Sequence, residues 1–450
     1  PAILSSEIEA DGSPRRLRLL GEDMVAFRDS DGKVGILDAY CPHKLAPMFY
    51  GRNEECGLTC VYHGWKFDTD GACMELGNEP DGEDHKHRVK IRSYPVREIG
   101  NLVWIFMGDE NNIADFPHLE WAHVDAEKSH VTRWLQRTNW AQGFEGEIDS
   151  SHISFLHRSM DNSLRGSAVG TSIAPPGIWD DAPELTLKET DYGFVYGARR
   201  RAGENLYYWR MTQCMLPIFN QIANDVFPRS GRCWVPVDDY NVMAFSYVYN
   251  ADAPITQEQA DILETGRSFP PLRDYVATEL DDGYVIDTFI SKNVRGNDYL
   301  IDRDVQTDGT YSGIFGLTNQ DRAIQENMRS IPGIGPGKIA DRSREYLMTA
   351  DVPVITFRKI IIKMAMDLAD KGIRPKAADD GSLYNVRAIS AVTEIETFEE
   401  LLEIHGAECL DRTNPTFTPR YRRTWPGRHH HAARVAGLGR RRGDRRGGPP

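Results

Sequence analysis

Two short pairs of cysteine and histidine lie close together near the start of the chain. Cys41 and His43 are separated by one residue, and Cys60 and His63 are separated by two. Each pair can present two ligands from one tight loop. Two cysteine thiolates and two histidine imidazoles together hold the type of [2Fe–2S] cluster in which two of the usual four cysteine ligands are replaced by histidines. Structural zinc also accepts two cysteines and two histidines. A loop of a zinc site, however, usually supplies two cysteines or two histidines and not one of each. The spacing therefore favours an iron–sulfur cluster over zinc.

A second group of potential metal ligands follows further along the chain, at Asp149, His152 and His157. Two imidazoles and one carboxylate make the facial triad of non-haem Fe(II), which leaves coordination positions open for O2. His152 lies three residues after Asp149 and shares its face of a predicted helix, whereas His157 requires that this helix bend or end nearby. The pattern predicts a mononuclear iron site with His152 and His157 as ligands.

The third ligand of this iron must come from another part of the chain. The candidates are the acidic residues Asp302, Asp304, Asp308, Asp321 and Glu326. Asp149 has a separate use, because a carboxylate that accepts a hydrogen bond from the far nitrogen of a metal-bound histidine orients the ring. Between two metal centres, Asp149 could also carry electronic coupling. The residues alone leave the identity of the third ligand open.

The elements that would position these ligands change in character along the chain. Short strands separated by turns are predicted within residues 16–110, which is typical of a small all-β domain. A predicted linker at 109–125 is followed by a predicted helix at 140–156. Further strands are predicted at 185–196, 206–216 and 241–249. Helical spacing recurs at 256–265, 320–329, 342–350, 357–369 and 397–404, with Pro353 as the break between the third and fourth of these. This order predicts an α+β domain in which helices cover an antiparallel sheet.

The bulk composition excludes several classes of protein. The chain has 450 residues, which suffices for two domains with separate cores. It has no apolar run long enough for a bilayer and no signal-peptide pattern, so we expect a cytoplasmic protein that does not enter a membrane. A net charge of −14 argues against nucleic acid as the main partner, and seven scattered cysteines argue against a disulfide framework. Residues 419–450 are rich in arginine and glycine and are predicted to be a disordered or artefactual tail.

From about residue 17 to residue 351 the chain resembles the phthalate 4,5-dioxygenase-like oxygenase (alpha) subunits, a group of Rieske non-haem iron oxygenases that hydroxylate aromatic rings. The motifs that carry the resemblance are Cys41-Pro42-His43, 49–55, Cys60-Val61-Tyr62-His63-Gly64-Trp65, 145–157, 297–303 and Gln320-Asp321. The resemblance implies an all-β Rieske [2Fe–2S] domain at residues 1–118 and an α+β helix-grip catalytic domain at residues 119–418. Because Asp321 matches the position of the family's carboxylate ligand, the resemblance selects it as the third ligand of the mononuclear Fe(II).

The resemblance also implies an assembly and a redox partner. The family forms homotrimers or pairs of trimers in which the cluster of one subunit feeds the iron of its neighbour, so His63 would face Asp149 and His152 across the interface. A separate flavin and iron–sulfur reductase would deliver electrons from NAD(P)H. Two departures from the family pattern are that Lys44 stands where arginine is usual, and that the family usually has a further N-terminal segment.

The reaction implied by the resemblance is dioxygenation of an aromatic carboxylate similar to phthalate, with O2 as the oxidant. A carboxylate is best held by arginine, and among the strand arginines we predict Arg199 and Arg210 as anchors. A monooxygenase or O-demethylase of a related aromatic acid is an alternative with the same motifs. A non-catalytic Rieske electron carrier and a zinc-stabilised binding protein are alternatives of other classes. The pair His152 and His157 argues against the carrier, because a carrier needs no second metal.

Overall fold

The computed structural model of the protein describes residues 1–160, 180–224 and 228–410, so the predicted tail at 419–450 lies outside the described residues. Within the described ranges, no helix is both long enough and apolar enough to cross a lipid bilayer.

The first part of the chain forms three small antiparallel sheets. Its strands are β1 (Ile3–Leu4), β2 (Arg15–Leu19), β3 (Glu22–Arg28), β4 (Val34–Asp38), β5 (Arg52–Glu54), β6 (Gly57–Thr59), β7 (Trp65–Phe67), β8 (Cys73–Leu76), β9 (Val96–Ile99) and β10 (Leu102–Ile105), with a short helix α1 (Gly82–His85) between β8 and β9. The sheets have the orders β2-β3-β4, β5-β6-β7-β8 and β1-β10-β9. Val25, Phe27 and Leu37 alternate into a shared core with Met48 and Leu58. The predicted all-β Rieske domain is thereby confirmed.

The second part is built on one large sheet. Its strands are β11 (Ser129–Gln136), β12 (Glu184–Thr190), β13 (Gly193–Gly203), β14 (Leu206–Met215), β15 (Phe219–Ile222), β16 (Arg229–Pro236), β17 (Val242–Tyr249), β18 (Arg273–Glu279), β19 (Val285–Ser291) and β20 (Ile389–Thr393). The order is β12-β13-β14-β15-β16-β17-β11-β19-β18, and β20 also pairs with β14. Neighbouring strands are antiparallel except for a short parallel contact between β11 and β19.

Helices cover this sheet and carry part of the site. They are α2 (Glu120–His123), α3 (Trp140–Ile148), α4 (Gln257–Leu263), α5 (Arg303–Asp308), α6 (Leu317–Gln325), α7 (Val352–Lys371), α8 (Lys376–Asp379) and α9 (Phe398–Leu410). Phe144 and Ile148 of α3 and Phe357 of α7 pack with Trp134 of β11 in one buried cluster. The predicted α+β domain with helices against the sheet is confirmed.

Several element predictions need correction. The strand predicted at 185–196 is the hairpin of β12 and β13, and Gly193 permits the turn because its φ is +141° and a Cβ there would meet the Cys214 carbonyl oxygen at 2.2 Å. The predicted helix at 342–350 contains only 3-10 turns at Arg342–Arg344 and Thr349–Asp351. Pro353 does not break a helix but lies in the first turn of α7. Backbone N–H groups in the first turn make no hydrogen bond within the helix, so the missing N–H of proline costs nothing there.

Ion pairs join the two parts of the chain. Asp287 of β19 accepts hydrogen bonds from the backbone N–H and the guanidinium of Arg16 of β2, both at 2.8 Å. Arg133 of β11 is 1% exposed and pairs through two nitrogens with the carboxylate of Glu7. These contacts fix the N-terminal sheets against the large sheet.

Candidate functional site

Two similar loops carry the Cys–His pairs. The carbonyl of Cys41 accepts the N–H of Leu45, and the carbonyl of Cys60 accepts the N–H of Gly64, both at 2.9 Å. Leu45 and Gly64 occupy the same place in their loops, four residues after the cysteine, and both have left-handed backbones with φ of +56° and +74°. Each loop therefore turns back within five residues, which keeps its cysteine and histidine close together.

The side chains of the two loops converge. The ring centroids of His43 and His63 lie 4.5 Å apart, and Trp65 stacks on His43 at 4.4 Å. Cys41 and Cys60 are both buried, and burial raises the pKa of Cys41 to about 11, so a bound cation would favour its thiolate form. Nδ1 of His43 is buried without a hydrogen-bond partner among the described residues. An orphaned imidazole nitrogen beside two buried thiols fits a metal cluster with mixed ligands.

The start and the end of helix α3 determine where His152 and His157 lie. Asn139 caps its start, because its side chain accepts the N–H of Ala141 at 3.0 Å. The helix ends at Ile148, eight residues before the predicted end, because the Asp149 side chain competes for backbone donors. Its Oδ1 accepts the N–H of Ser151 at 2.8 Å and that of His152 at 3.3 Å. This starts a separate 3-10 turn at His152–Ser154, which changes the chain direction before the next histidine.

The structure brings together His152, His157 and Asp321. The two Nε2 atoms are 3.1 Å apart, and Oδ1 of Asp321 lies 3.2 Å from Nε2 of His157 and 3.6 Å from Nε2 of His152. Ligand atoms held about 2.1 Å from one ion at right angles are about 3 Å apart. The three donor atoms therefore have the spacing that a single divalent ion requires.

The electrostatics of this triad suit a cation. Burial, followed by the neighbouring His157, lowers the pKa of His152 and favours the neutral ring that metals bind. Burial alone would lower the pKa of His157, but Asp321 and the hydrogen bond with Gln320 outweigh it and raise that pKa. Burial opposes ionisation of Asp321, yet the two histidines and Arg232 hold its pKa below the ordinary value.

The other acidic candidates for the third ligand lie elsewhere. Glu326 is buried, but both of its oxygens pair with Arg322. Asp302 caps α5 by accepting two backbone N–H groups, and Asp304 and Asp308 are exposed on that helix. None of these four carboxylates joins the cluster that His152 and His157 form with Asp321.

Asp149 lies beside the triad. Its Oδ2 is 3.7 Å from Nδ1 of His152, close enough for an ion pair but longer than a hydrogen bond. Its side chain is 31% exposed, whereas that of His157 is 5% exposed. The Asp149 carboxylate is therefore more accessible to solvent than either histidine of the triad, since the side chain of His152 is 22% exposed.

A cavity lined by both apolar and polar side chains opens onto the triad. Its apolar walls include Ile153, Ile222, Phe269 and Leu317, and its polar groups include Tyr196, Arg210, Asn224, Ser230 and Arg232. Arg210 and Arg232 are each only 4% exposed. Arg232 forms a buried ion pair with Glu147, and burial lowers its pKa to about 10.

Arg199 does not line this cavity, which corrects its prediction as a substrate anchor. It pairs with Glu184 and with the backbone carbonyl of Glu396 on the other face of the sheet. In the register of β13 and β14, Arg199 is opposite Trp209, whereas Arg210 is opposite Ala198. Because side chains alternate between the faces of a strand, Arg199 and Arg210 point in opposite directions.

Two contributors to the site lie within the motifs quoted for the resemblance but were given no role from the sequence. Gln320 accepts a hydrogen bond from Nδ1 of His157 at 2.6 Å, and Glu147 neutralises Arg232. Gln320 stands directly before Asp321, but its partner is 163 residues away in the chain. No spacing pattern could have predicted that contact.

Comparison with known proteins places this site in a family. The Rieske [2Fe-2S] domain model matches residues 1–95, and the LigXa C-terminal domain-like model matches residues 105–396. The phthalate 4,5-dioxygenase oxygenase subunit of Pseudomonas putida is 37% identical over 80% of this chain and 79% of its own length. The 3-chlorobenzoate-3,4-dioxygenase oxygenase subunit of Comamonas testosteroni is 33% identical over 85% of this chain and 87% of its own length.

The fold agrees with these relatives. The structure of dicamba monooxygenase bound to dicamba has a TM-score of 0.53, with 17% identity, over 82% of this chain and 96% of that one. The relatives are oxygenases with a Rieske [2Fe–2S] cluster and a mononuclear iron centre. This similarity excludes the two alternative functions, a non-catalytic electron carrier and a zinc-stabilised binding protein. The chain is therefore the oxygenase component of a Rieske-type aromatic ring-hydroxylating system and belongs to the family of phthalate 4,5-dioxygenase-like Rieske non-haem iron oxygenases.

Proposed function

We propose that this oxygenase dihydroxylates an aromatic carboxylate of the phthalate class, with O2 and with electrons from NAD(P)H delivered by a separate flavin and iron–sulfur reductase. The observation that carries the proposal is the pair of buried arginines, Arg210 and Arg232, in the cavity that opens onto the His152–His157–Asp321 triad. A buried guanidinium favours an anionic ligand, and the apolar walls suit an aromatic ring.

The metal ligands are part of the proposal. Cys41, His43, Cys60 and His63 hold the [2Fe–2S] cluster, and His152, His157 and Asp321 hold the ferrous ion. When bound, these two centres supply the electron transfer and the open coordination positions that O2 activation requires. Asp321→Ala is expected to lower the iron content from about three to about two per chain, with the visible spectrum of the cluster retained. Loss of the cluster spectrum in that variant would contradict the assignment.

Arg210 is the proposed primary anchor of the carboxylate. Arg210 lines the same cavity as His157, and its positive charge acts to lower the pKa of that histidine. Arg232 pairs with Glu147, so a substrate carboxylate that binds Arg232 would compete with that ion pair. A dicarboxylate could contact both arginines through its two carboxylates.

Asp149 is the proposed link to a neighbouring subunit. In a homotrimer or a pair of trimers, His63 of one copy would face Asp149 and His152 of the next. The proposal is supported by the exposure of Val61 and Tyr62, next to His63, at 57% and 60%. The domain limits at 1–118 and 119–418 belong to the same proposal.

The test is a panel of aromatic acids with purified protein, a suitable reductase, NAD(P)H and O2. Phthalate and chlorinated benzoates are expected to give cis-dihydrodiols, whereas a phenol or formaldehyde from a methoxylated acid would favour the monooxygenase or O-demethylase. Arg210→Ala is expected to lower kcat/KM for the acid by about 10- to 150-fold, because a hydrogen bond to a charged group contributes about 1.5–3 kcal/mol. Arg199→Ala is the matched control and should change kcat/KM little. If Arg210→Ala lowered kcat/KM equally for an uncharged analogue, the anchoring role of Arg210 would be contradicted.

A further inference from the structure

Arg232 lies in the cavity together with a carboxylate of the protein itself, that of Glu147. The two side chains are 5% and 7% exposed, and they form an ion pair through Nη1 of Arg232 and Oε1 of Glu147. Nε of Arg232 is buried and has no hydrogen-bond partner among the described residues. The protein therefore neutralises this guanidinium from within and leaves one of its N–H donors unused.

The packing of α3 on β16 brings the two members of this pair together. Gly143 lies one turn before Glu147 on the same face of α3, and Trp234 shares a strand face with Arg232. A Cβ at position 143 would lie 2.2 Å from the ring of Trp234. Glycine at this position therefore allows the helix to approach the strand closely enough for Glu147 to reach Arg232.

Asn220 of β15 holds both members of the pair. Its Nδ2 donates to Oε2 of Glu147 at 3.3 Å, and its Oδ1 accepts the backbone N–H of Arg232 at 3.1 Å. Asn220 is itself fully buried. Each oxygen of Glu147 thus has a partner, and the carboxylate cannot turn away from Arg232 without leaving buried polar groups unpaired, which is costly.

A different charge balance holds on the other side of the cavity, two strands away from β16. There Arg210 of β14 and Arg200 of β13 lie on the same face of the sheet. Among the described residues Arg200 bonds only to neutral groups, the carbonyl and the hydroxyl of Ser150, and burial together with the charge of Arg210 lowers its pKa to about 10. The excess positive charge therefore lies beside Arg210, where a substrate carboxylate would bind, and not at Arg232.

We propose that Glu147 is a specificity-determining residue that occupies the place of a second substrate carboxylate at Arg232, so that the oxygenase selects aromatic acids with a single carboxylate. A second carboxylate would either displace Glu147, which leaves a buried charge without its partner, or share one guanidinium with it, and both are unfavourable. A neutral acceptor on the ring can bind Nε of Arg232 without disturbing the pair. The inference rests on the proposed function and narrows its substrate class.

The experiment compares phthalate, isophthalate and terephthalate with the three monoamides in which a carboxamide of nearly the same shape replaces one carboxylate. Isothermal titration calorimetry of the cofactor-loaded protein without O2 measures the affinity for each acid. The wild type is expected to bind its tightest monoamide more tightly than the matching dicarboxylate. Glu147→Gln keeps the shape and removes the charge, so it should shift the ratio of these two affinities by about 10- to 150-fold toward the dicarboxylate, the factor typical of a hydrogen bond to a charged group.

Glu145→Gln is the matched control. It removes a carboxylate two residues away on α3 that pairs with Arg342 and Arg358 and does not line the cavity, so the ratio should stay unchanged. In an Arg232→Gln background, Glu147→Gln should cause no further shift, because the guanidinium on which it acts is gone. The spectrum of the cluster and the iron content show whether each variant is folded, and the wild-type comparison requires no variant at all.

Three results would each overturn the inference: a wild type that prefers the dicarboxylates, an unchanged ratio in Glu147→Gln, or an equal shift in Glu145→Gln. A failure of the proposed function looks different, because then no acid of the panel binds to the wild type. Tight binding of the dicarboxylates with no effect of Glu147→Gln would contradict the role of Glu147 alone.

Discussion

The hydrogen bond between His157 and Gln320 gives a prediction that can be worked out from the structure. Oε1 of Gln320 accepts from Nδ1 of His157 at 2.6 Å, while its Nε2 donates to the carbonyl of Ile314 at 2.8 Å. Gln320 is 4% exposed and held at both ends of its amide, so it fixes the His157 ring with Nε2 toward Asp321. Gln320→Leu removes the acceptor while nearly preserving the volume of the side chain.

The expected magnitude follows from the role of that bond. An acceptor on the far nitrogen fixes the tautomer and raises the basicity of a metal-bound imidazole, and its loss typically lowers metal affinity 10- to 100-fold. This corresponds to about 1.4–2.7 kcal/mol of binding free energy. Gln320→Glu keeps an acceptor at the same place, so we expect it to retain most of the affinity for Fe(II).

The assay is anaerobic titration of Fe(II) into protein that contains the cluster but has had its mononuclear iron removed. Gln325→Leu is the matched control, because Gln325 is also a buried glutamine of α6 but bonds to Gln136 at 2.5 Å, away from the triad. We expect Gln320→Leu alone to weaken Fe(II) binding. If its affinity stays within about twofold of the wild type, or if Gln325→Leu loses as much, the positioning role of Gln320 is refuted.

Two further predictions concern stability. Glu7→Ala leaves the buried guanidinium of Arg133 without its bidentate partner, so the free energy of unfolding measured in urea should fall by roughly 3–5 kcal/mol. A decrease below about 1 kcal/mol would contradict this prediction. Burial favours protonation of Glu264, but the hydrogen bond with His130 and the ion pair with Arg273 outweigh it and lower the pKa of Glu264 from 4.5 to about 2. Because this folded-state pKa is depressed, the stabilisation by Glu264 is complete above pH 4.5 and is lost as the pH falls toward 2. The free energy of unfolding of Glu264→Gln should therefore decrease less than that of the wild type over that pH interval.

The sequence alone was enough to predict two candidate metal sites of different chemistry. Ligand type and short spacing predicted the Cys41–His43 and Cys60–His63 loops, because the geometry of a tight turn is local. The same holds for His152 and His157, which the structure brings together within one short segment. Periodicity also predicted the order of an all-β domain followed by an α+β domain, since alternation and helical spacing are properties of neighbouring residues.

Only the tertiary structure decided which distant residues join these sites. Spacing left five carboxylates open as the third ligand, and the packing of α6 against α3 brings Asp321 to the histidines while Glu326 is held by Arg322. Both Arg199 and Arg210 were predicted as anchors, and strand register decides that only Arg210 lines the cavity, because a shift of one residue reverses the face to which a side chain points. Sheet pairing and helix packing join residues that are far apart in the chain, and no local pattern encodes those contacts.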